Sequence, residues 1–191
     1  FRVGTVDKDG NSVMDKTAVT KDRALRQAMA YAMNIDQVQE KFGYGLSYRA
    51  NTLVPPAFGK WNDKHATGYK LNMKKAKALL DEAGYKVQKD GYRTQPNGKK
   101  LTLTLMANKS SKNFEASVKN YIQQWKELGV RVKLMNGRFQ EFNSMSEKLI
   151  SGAKDFDIWM GAWSTSSEPT DVAANYSKTS AYNFGHFVTK E

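Results

Sequence analysis

The 191-residue sequence contains no cysteine and only two histidines. The absence of cysteine excludes thiolate catalysis, cysteine-ligated metals and iron–sulfur clusters. It says little about compartment, because an oxidising compartment permits disulfides without requiring them. His65 and His186 are far apart, and neither has an acidic or histidine neighbour at i+3 or i+4. A metal site would need ligands converging from elsewhere, so we interpret both as ordinary surface or loop residues and expect no cofactor.

Catalytic motifs are also missing. There is no glycine-rich phosphate loop, and Ser164, Ser166 and Ser167 lie near no G-x-S-x-G elbow. Asp155 and Asp157 form a possible carboxylate pair, but we favour a role in ending a buried apolar run. We therefore predict that the protein is not an enzyme. No apolar run reaches the 18 or more residues of a membrane span.

Acidic residues are fewer than basic ones, 19 against 30, and the formal net charge is +11. Such a charge suggests nucleic-acid binding. The lysines of the predicted helices, however, are interleaved with acids, which is typical of a solvated, mixed-sign surface. No zinc finger, RNP signature or helix-turn-helix spacing accompanies them, so we expect no nucleic-acid partner. Attraction to an anionic cell wall or to lipid headgroups explains the charge equally well.

Two segments contain the capping residues that mark the ends of a helix. In Leu25–Val38, apolar residues recur with helical period, and Thr20 is the predicted N-cap with Asp22 in the first turn. Asn34 is expected to restart a short helix that ends before Gly43. The expected buried stripe is Leu25, Ala28, Met29, Ala32 and Met33.

The second segment is Tyr69–Tyr85, with Asn72 as the predicted N-cap. Gly84 occupies a left-handed C-cap position, and Tyr85 is placed for the apolar contact that accompanies such a cap. The residues expected to face inward are Met73, Ala76, Leu79, Leu80 and Ala83.

The remaining pattern alternates strands and helices. A hairpin is predicted across residues 96–98, joining Gly91–Thr94 to the strand Leu101–Met106. A helix ending at Gly129, a strand from Val130 to Leu134, a helix over Phe139–Ile150 and a buried strand over Phe156–Trp163 then follow. This order predicts an α/β fold with a mixed, mostly parallel sheet flanked by helices.

Ligands of such sheets bind beyond the carboxyl ends of the strands. Two predicted loops leave strands at that edge, Ala107–Ser111 and Ser164–Ser167, and both are rich in small polar residues. Trp159 and Trp163 are four residues apart in a predicted strand and should share a face. Core packing and a position in the ligand cleft explain Trp159 about equally well. Trp163 lies at the carboxyl end of the predicted strand, and this position favours a role in the cleft.

Several short motifs are more specific than these patterns. They resemble the peptide- and nickel-type extracellular solute-binding proteins of ABC importers, of the oligopeptide-binding type, in the family's order along nearly the whole chain. The matching motifs are Arg26-Gln27-Ala28, Ala30-Tyr31-Ala32, Pro55-Pro56, Lys75-Ala76, Ala83-Gly84-Tyr85, Leu128-Gly129-Val130, Gly161-Ala162-Trp163 and Glu168-Pro169.

The resemblance implies a substrate-binding component that captures oligopeptides between two lobes and delivers them to a membrane permease. Residues 1–191 would be a single lobe, from the later part of a longer polypeptide and incomplete at both ends. The expected partners are an oligopeptide, the permease and the missing lobe. The expected location is extracellular or periplasmic, with a lipid anchor to the cell membrane through a segment outside this chain.

The resemblance also nominates ligand-binding residues. The backbone of Gly161, Ala162, Trp163 and Ser164 would pair with the ligand, and Thr165 and Ser166 extend the same loop. Asn108 occupies a ligand-proximal polar position, and Asn113 begins the next helix. Phe139 matches a position that is often aromatic near the cleft, although helix-core packing explains it as well.

One departure from the family pattern concerns the ligand terminus. Several relatives carry an aspartate shortly after the Gly-Trp step that pairs with the ligand's amino group, but Ser164–Ser167 contains no carboxylate. Tolerance of longer peptides with protruding ends is the hypothesis that follows. The alternatives are other ligands of the same family (a nickel chelate, haem, an oligosaccharide or a pheromone) and a basic module that binds polyanions.

Overall fold

The computed structural model describes residues 1–164, 167–169 and 171–188. Thr165 and Ser166 therefore lie outside the described residues. The helices and strands in that part of the chain are β1 (Gly4–Val6), β2 (Ser12–Met14), α1 (Arg23–Tyr31), α2 (Ile35–Gly43), α3 (Met73–Glu82), β3 (Thr102–Ala107), α4 (Lys112–Glu127), β4 (Arg131–Leu134), α5 (Phe142–Ile150), β5 (Ile158–Met160) and α6 (Val172–Tyr176). Short 3-10 turns occupy Val19–Lys21, Pro56–Trp61 and Met135–Gly137.

The main sheet has three parallel strands in the order β4-β3-β5. Leu103 lies opposite Val132 in β4, and Met106 lies opposite Trp159 in β5. β1 and β2 form a separate antiparallel pair. The predicted α/β class with parallel pairing is confirmed. The predicted mixed sheet is in fact two sheets, since the antiparallel strands pair only with each other among the described residues.

The core lies between the main sheet and helices α1, α3 and α4. Leu25, Ala28 and Met29 are fully buried as predicted, and the indole N–H of Trp125 in α4 donates to the Met29 carbonyl at 3.0 Å. Met33 is only partly buried. Within the described residues, no helix is both long and apolar enough to cross a membrane.

Helix boundaries follow local capping chemistry. Asn34 and Asn72 accept from the backbone N–H three residues on, as predicted. The N-cap of α1 is Asp22 and not Thr20: the Asp22 carboxylate accepts from Ala24 N–H, while Thr20 is buried and donates its hydroxyl to the Arg2 carbonyl. The prediction for Thr20 was wrong because its hydroxyl is used in a non-local contact.

The C-terminus of α3 has the predicted geometry. Gly84 adopts φ +84°, and the N–H of buried Tyr85 donates to the Leu80 carbonyl at 2.9 Å. The Gly84 N–H donates to the backbone carbonyl of Asp81 at 3.1 Å. This pair of hydrogen bonds is a Schellman motif, which satisfies carbonyls that the helix itself leaves free.

The predicted hairpin is reduced to single bridges, Val87 with Arg93 and Thr94 with Lys100. Both sides of β3 are occupied by parallel partners, β4 and β5, so an antiparallel strand cannot continue alongside it.

Two predicted boundaries near the sheet edge were also wrong. The helix predicted from Phe139 begins at Phe142, because Gln140 N–H pairs with the Ala107 carbonyl and keeps that backbone extended. The strand predicted to reach Trp163 ends at Met160, which is opposite the last residue of β3.

Candidate functional site at the carboxyl edge of the sheet

The loops that leave β3 and β5 meet at the carboxyl edge of the sheet. The backbone N–H of Asn108 donates to the Met160 carbonyl at 3.1 Å, and Asn108 also bridges to Gln140. Asn108 is thus held beside the residues that follow β5. Of the residues predicted from sequence, Asn108, Gly161, Ala162, Trp163 and Ser164 line one cavity.

This cavity, which we call the apolar cavity, has a volume of about 450 Å³. One side is formed by α5 through Phe142, Met145, Leu149 and Ile150. Phe142 and Ile150 are 62% and 54% exposed, so α5 presents large apolar side chains that no described residue covers. Contiguous exposed apolar surface is typical of binding grooves and interaction sites.

The opposite side is a group of four packed rings, the aromatic wall: Trp159, Trp163, Tyr182 and Phe184. Trp163 stacks on Phe184 with ring centroids 5.2 Å apart and an interplanar angle of 9°. Trp159 meets Phe184 edge-on at 5.4 Å. A second cavity of about 210 Å³ lies against the same four residues. The ring contacts hold Trp163 in place although it is 48% exposed.

The backbone after β5 is an open edge. No hydrogen bond among the described residues uses the backbone N–H or carbonyl of Gly161, Ala162, Trp163 or Ser164. β5 is itself an edge strand, with β3 as its one neighbour in the described sheet. Unpaired main-chain groups next to an edge strand can accept an additional extended chain.

Gly161 lies at a close approach to Trp159. A Cβ on this residue would lie 3.0 Å from the indole of Trp159, which is tighter than an ordinary side-chain contact. The absence of a side chain at 161 therefore lets the Trp159 ring fold back against the backbone that forms the open edge.

Asn108 carries the polar feature of the apolar cavity. Its Oδ1 atom is buried and has no hydrogen-bond partner among the residues that the structure describes. An unpaired buried acceptor costs free energy, so such atoms are uncommon in folded proteins. Here the acceptor belongs to a residue that lines the cavity, where a ligand N–H could reach it.

Two other predicted residues lie elsewhere. Phe139 is partly buried against the core and lines a neighbouring polar cavity of about 400 Å³, together with Lys109, Arg138 and Glu141. Lys119 lies over the Phe139 ring at 5.9 Å. Asn113 is in the first turn of α4, where its carbonyl accepts from the Ser117 hydroxyl at 2.8 Å. Their roles in ligand binding stay predictions.

None of the described residues that line the apolar cavity is charged. Asp157 lies just before β5, and its carboxylate accepts from Thr104 N–H at 2.8 Å and so aligns β5 with β3. Burial raises the pKa of Asp157. Asp155 instead pairs with Lys148, so the two aspartates do not act as a pair.

Neither histidine lines the apolar cavity. His65 is exposed. His186 lies in a loop, as the prediction of surface or loop residues allows, but it is buried there, and its Nδ1 lies 3.1 Å from the Ser12 hydroxyl. Burial lowers the pKa of His186. Across the described residues, no group of three or more histidine, cysteine or acidic side chains could hold a metal ion.

The sequence interpretation missed half of the aromatic wall and the whole contribution of α5. Tyr182 and Phe184 are near the C-terminus, and only the packing of residues 183–187 brings them to Trp163. Asn183 fixes that packing, since its side chain donates to the Phe187 carbonyl at 2.7 Å and accepts from Phe187 N–H at 3.1 Å. The one local signal was the aromatic density of residues 182–187.

Comparison with known proteins identifies relatives over the whole chain. The family described as bacterial extracellular solute-binding proteins, family 5 Middle, matches residues 11–185. The oligopeptide-binding protein OppA of Lactococcus lactis subsp. cremoris (strain SK11) is 42% identical over 196 residues, covering 100% of this chain and 32% of OppA. The oligopeptide-binding protein AppA of Bacillus subtilis (strain 168) is 28% identical over 158 residues, covering 81% of this chain and 28% of AppA.

Solved structures agree with these relationships. Lactococcal OppA, complexed with an endogenous peptide in the closed conformation, superimposes with a TM-score of 0.91 at 42% identity, over 99% of this chain and 36% of that one. AppA from Bacillus subtilis in complex with a nonapeptide gives a TM-score of 0.78 at 26% identity, over 90% and 34%. The chain therefore spans about a third of the length of these relatives.

Proposed function

Since the chain belongs to the bacterial extracellular solute-binding proteins of family 5, we propose that it forms one wall of the ligand site in an oligopeptide-binding component of an ABC importer. Residues 1–191 would act as a single lobe, which the rest of a longer polypeptide completes. The complete protein would deliver its ligand to a membrane permease from the outer side of the membrane, where a lipid anchor would hold it.

The observation that carries this proposal is the open edge at Gly161–Ser164 beside the apolar cavity. Main-chain groups that pair with a ligand backbone contribute affinity without reading the ligand's sequence. Asn108 would add an acceptor for a ligand N–H. The aromatic wall and α5 would then contact whichever side chain points between them, and apolar side chains fit that lining best.

The direct test is calorimetry on the natural full-length polypeptide with peptides of mixed sequence. Binding of peptides, and a gain in affinity when an alanine is replaced by leucine or phenylalanine, is the expected result. An oligosaccharide and a nickel–histidine chelate serve as comparison ligands, because exposed indoles such as Trp163 can also stack on sugars. If either binds and peptides do not, the peptide assignment is wrong.

Peptide ends give a second test. None of the described residues that line the apolar cavity is acidic, so this lobe supplies no carboxylate there for a ligand's amino terminus. N-acetylated and free-amine forms of one peptide should therefore bind with affinities within about a few-fold, since no ion pair is lost. A large loss on acetylation would show that the amino terminus is recognised.

The ligand captured in the cell can be identified separately. Mass spectrometry of small molecules released from the purified full-length protein should detect a mixture of peptides. A single non-peptide compound in their place would contradict the proposed ligand class.

A further inference from the structure

A second surface lies at the opposite end of the sheet from the apolar cavity. Residues 86–100 form two short turns between α3 and β3, closed by the bridges Val87–Arg93 and Thr94–Lys100. β3 starts at Thr102, next to these turns, and ends at Ala107, next to the cavity. At about 3.3 Å per residue, its six residues separate the two surfaces by roughly 20 Å. We call residues 86–100 the basic end.

Arginines hold the basic end in place. Arg93 is buried, and its guanidinium donates to the carbonyls of Leu128 at 3.0 Å and Tyr85 at 2.7 Å. The same guanidinium pairs with Asp81 at 2.5 Å. These contacts tie the turns to the ends of α3 and α4, so the basic end is a fixed feature of the fold.

Both aspartates that make ion pairs at this surface are paired with arginines and not with its lysines. Asp81 is paired with Arg93, and Asp90 is paired with Arg131 at 3.0 Å. Four lysines of the basic end are exposed, and none makes an ion pair with a described residue: Lys86, Lys89, Lys99 and Lys100. The other acids nearby in sequence, Glu82 and Glu127, make no ion pair with these lysines. The result is a local excess of positive charge.

Apolar groups share this surface with the lysines. Val87 is 55% exposed although it is β-branched and apolar. Tyr92 is partly exposed, with the Arg131 guanidinium 3.8 Å from its ring centroid. A short segment that exposes lysines together with a valine and a tyrosine suits the boundary between lipid headgroups and acyl chains, where aromatic rings and long basic side chains are accommodated together.

We propose that the basic end binds the surface of an anionic lipid bilayer. The four lysines would lie among anionic headgroups, and Val87 and Tyr92 would reach the boundary of the acyl chains. The apolar cavity, at the other end of β3, would stay open to solution. This contact is independent of peptide binding, since it uses none of the residues at the carboxyl edge.

The test compares two variants of equal charge in the full-length polypeptide, expressed without any lipid-attachment sequence. One carries Lys86→Gln, Lys89→Gln, Lys99→Gln and Lys100→Gln. The control carries Lys8→Gln, Lys16→Gln, Lys112→Gln and Lys154→Gln, four lysines that are also exposed and make no ion pair with a described residue. Sedimentation with vesicles of phosphatidylglycerol mixed with phosphatidylcholine, and with phosphatidylcholine alone, measures the bound fraction.

The parent protein and the control variant should bind the anionic vesicles and release them as salt rises. The basic-end variant should bind at least about tenfold more weakly, and Val87→Ser should weaken binding with no change in charge. Equal losses in both four-lysine variants, or equal binding to neutral vesicles, would overturn the proposal. Efficient displacement by soluble polyphosphate at the same phosphate concentration would also overturn it, in favour of a polymer site.

Discussion

Replacing Asn108 should lower peptide affinity without lowering the thermal stability of the protein. Its buried Oδ1 has no partner among the described residues, so Asn108→Leu removes an unpaired acceptor from a partly buried position. We expect the melting temperature to stay constant or rise, because the cost of the unpaired atom disappears. Peptide affinity should fall by about tenfold, the equivalent of one lost hydrogen bond. Calorimetric titration and thermal unfolding of the same samples measure both.

Ser146 supplies the matched control, because it is another polar residue that lines the apolar cavity. Ser146→Ala should change peptide affinity much less than Asn108→Leu. Should Asn108→Leu destabilise the protein and leave affinity unchanged, the Asn108 amide would be structural and the assignment of a ligand acceptor would fail.

The ionisation of Asp15 should make the free energy of unfolding depend on pH. Its carboxylate pairs with Arg2 at 2.7 Å, and both side chains are 4% exposed. Burial opposes ionisation, but the Thr17 hydroxyl and the Arg2 guanidinium outweigh it and hold the pKa of Asp15 well below its usual range. A pKa lowered by folding gives stability that is present above the unfolded-state pKa, about 3.9, and is lost as pH falls below it.

Asp15→Asn should therefore destabilise the protein at neutral pH, by about 3–5 kcal/mol if the buried Arg2 is left without its anion. The difference from the parent protein should shrink as pH falls below about 4, where the parent begins to lose the same interaction. Urea unfolding at neutral and acidic pH measures this. A difference that stays constant with pH would show that Asp15 acts through shape alone.

At the scale of single elements, the C-terminus of α3 offers a clean test of backbone conformation. Gly84 has φ +84°, and a Cβ there would lie 3.6 Å from Pro96, an ordinary contact. Gly84→Ala should therefore cost about 1–2 kcal/mol through the left-handed conformation alone. Gly84→Asn should cost less, because asparagine tolerates this conformation. Equal losses for both variants in urea unfolding would point to crowding.

The elements also show what the sequence could predict. The limits of α3 and the start of α2 were predictable because the capping side chains, Asn34 and Asn72, bond to backbone only three residues away. The N-cap of α1 was not, since Thr20 is diverted by a contact with Arg2. Local periodicity contains no information about contacts of that kind.

At the candidate site, too, the sequence predicted some of the residues and missed others. The meeting of Asn108 and Trp163 at one cavity was predictable from strand order, because parallel strands bring their carboxyl ends to one edge. Tyr182 and Phe184 were not, because their position depends on packing between the two ends of the chain, where Val3 N–H donates to the Gly185 carbonyl. The start of α5 depends on the pairing of Gln140 with β3.

At the scale of the whole molecule, the apolar cavity is one-sided. Trp163, Tyr182, Phe142 and Ile150 are each about half exposed, so a ligand held by this chain alone would keep one face in water. Binding proteins that close two lobes around a ligand gain affinity by burying both faces and excluding water. The same residues would become buried in the closed form of a two-lobed protein.

We therefore expect the 191-residue chain to bind peptides at least about a hundredfold more weakly than the full-length polypeptide, because the proposed second lobe would supply half of the surface that buries the ligand. Calorimetry of both proteins with one peptide measures the ratio, and circular dichroism of the shorter chain checks that it is folded. Trp163→Ala should weaken binding by the full-length protein and change little in the already weak shorter chain. Sub-micromolar binding by the 191 residues would show instead that this chain holds its ligand unaided, with the open edge and the apolar cavity as a complete site.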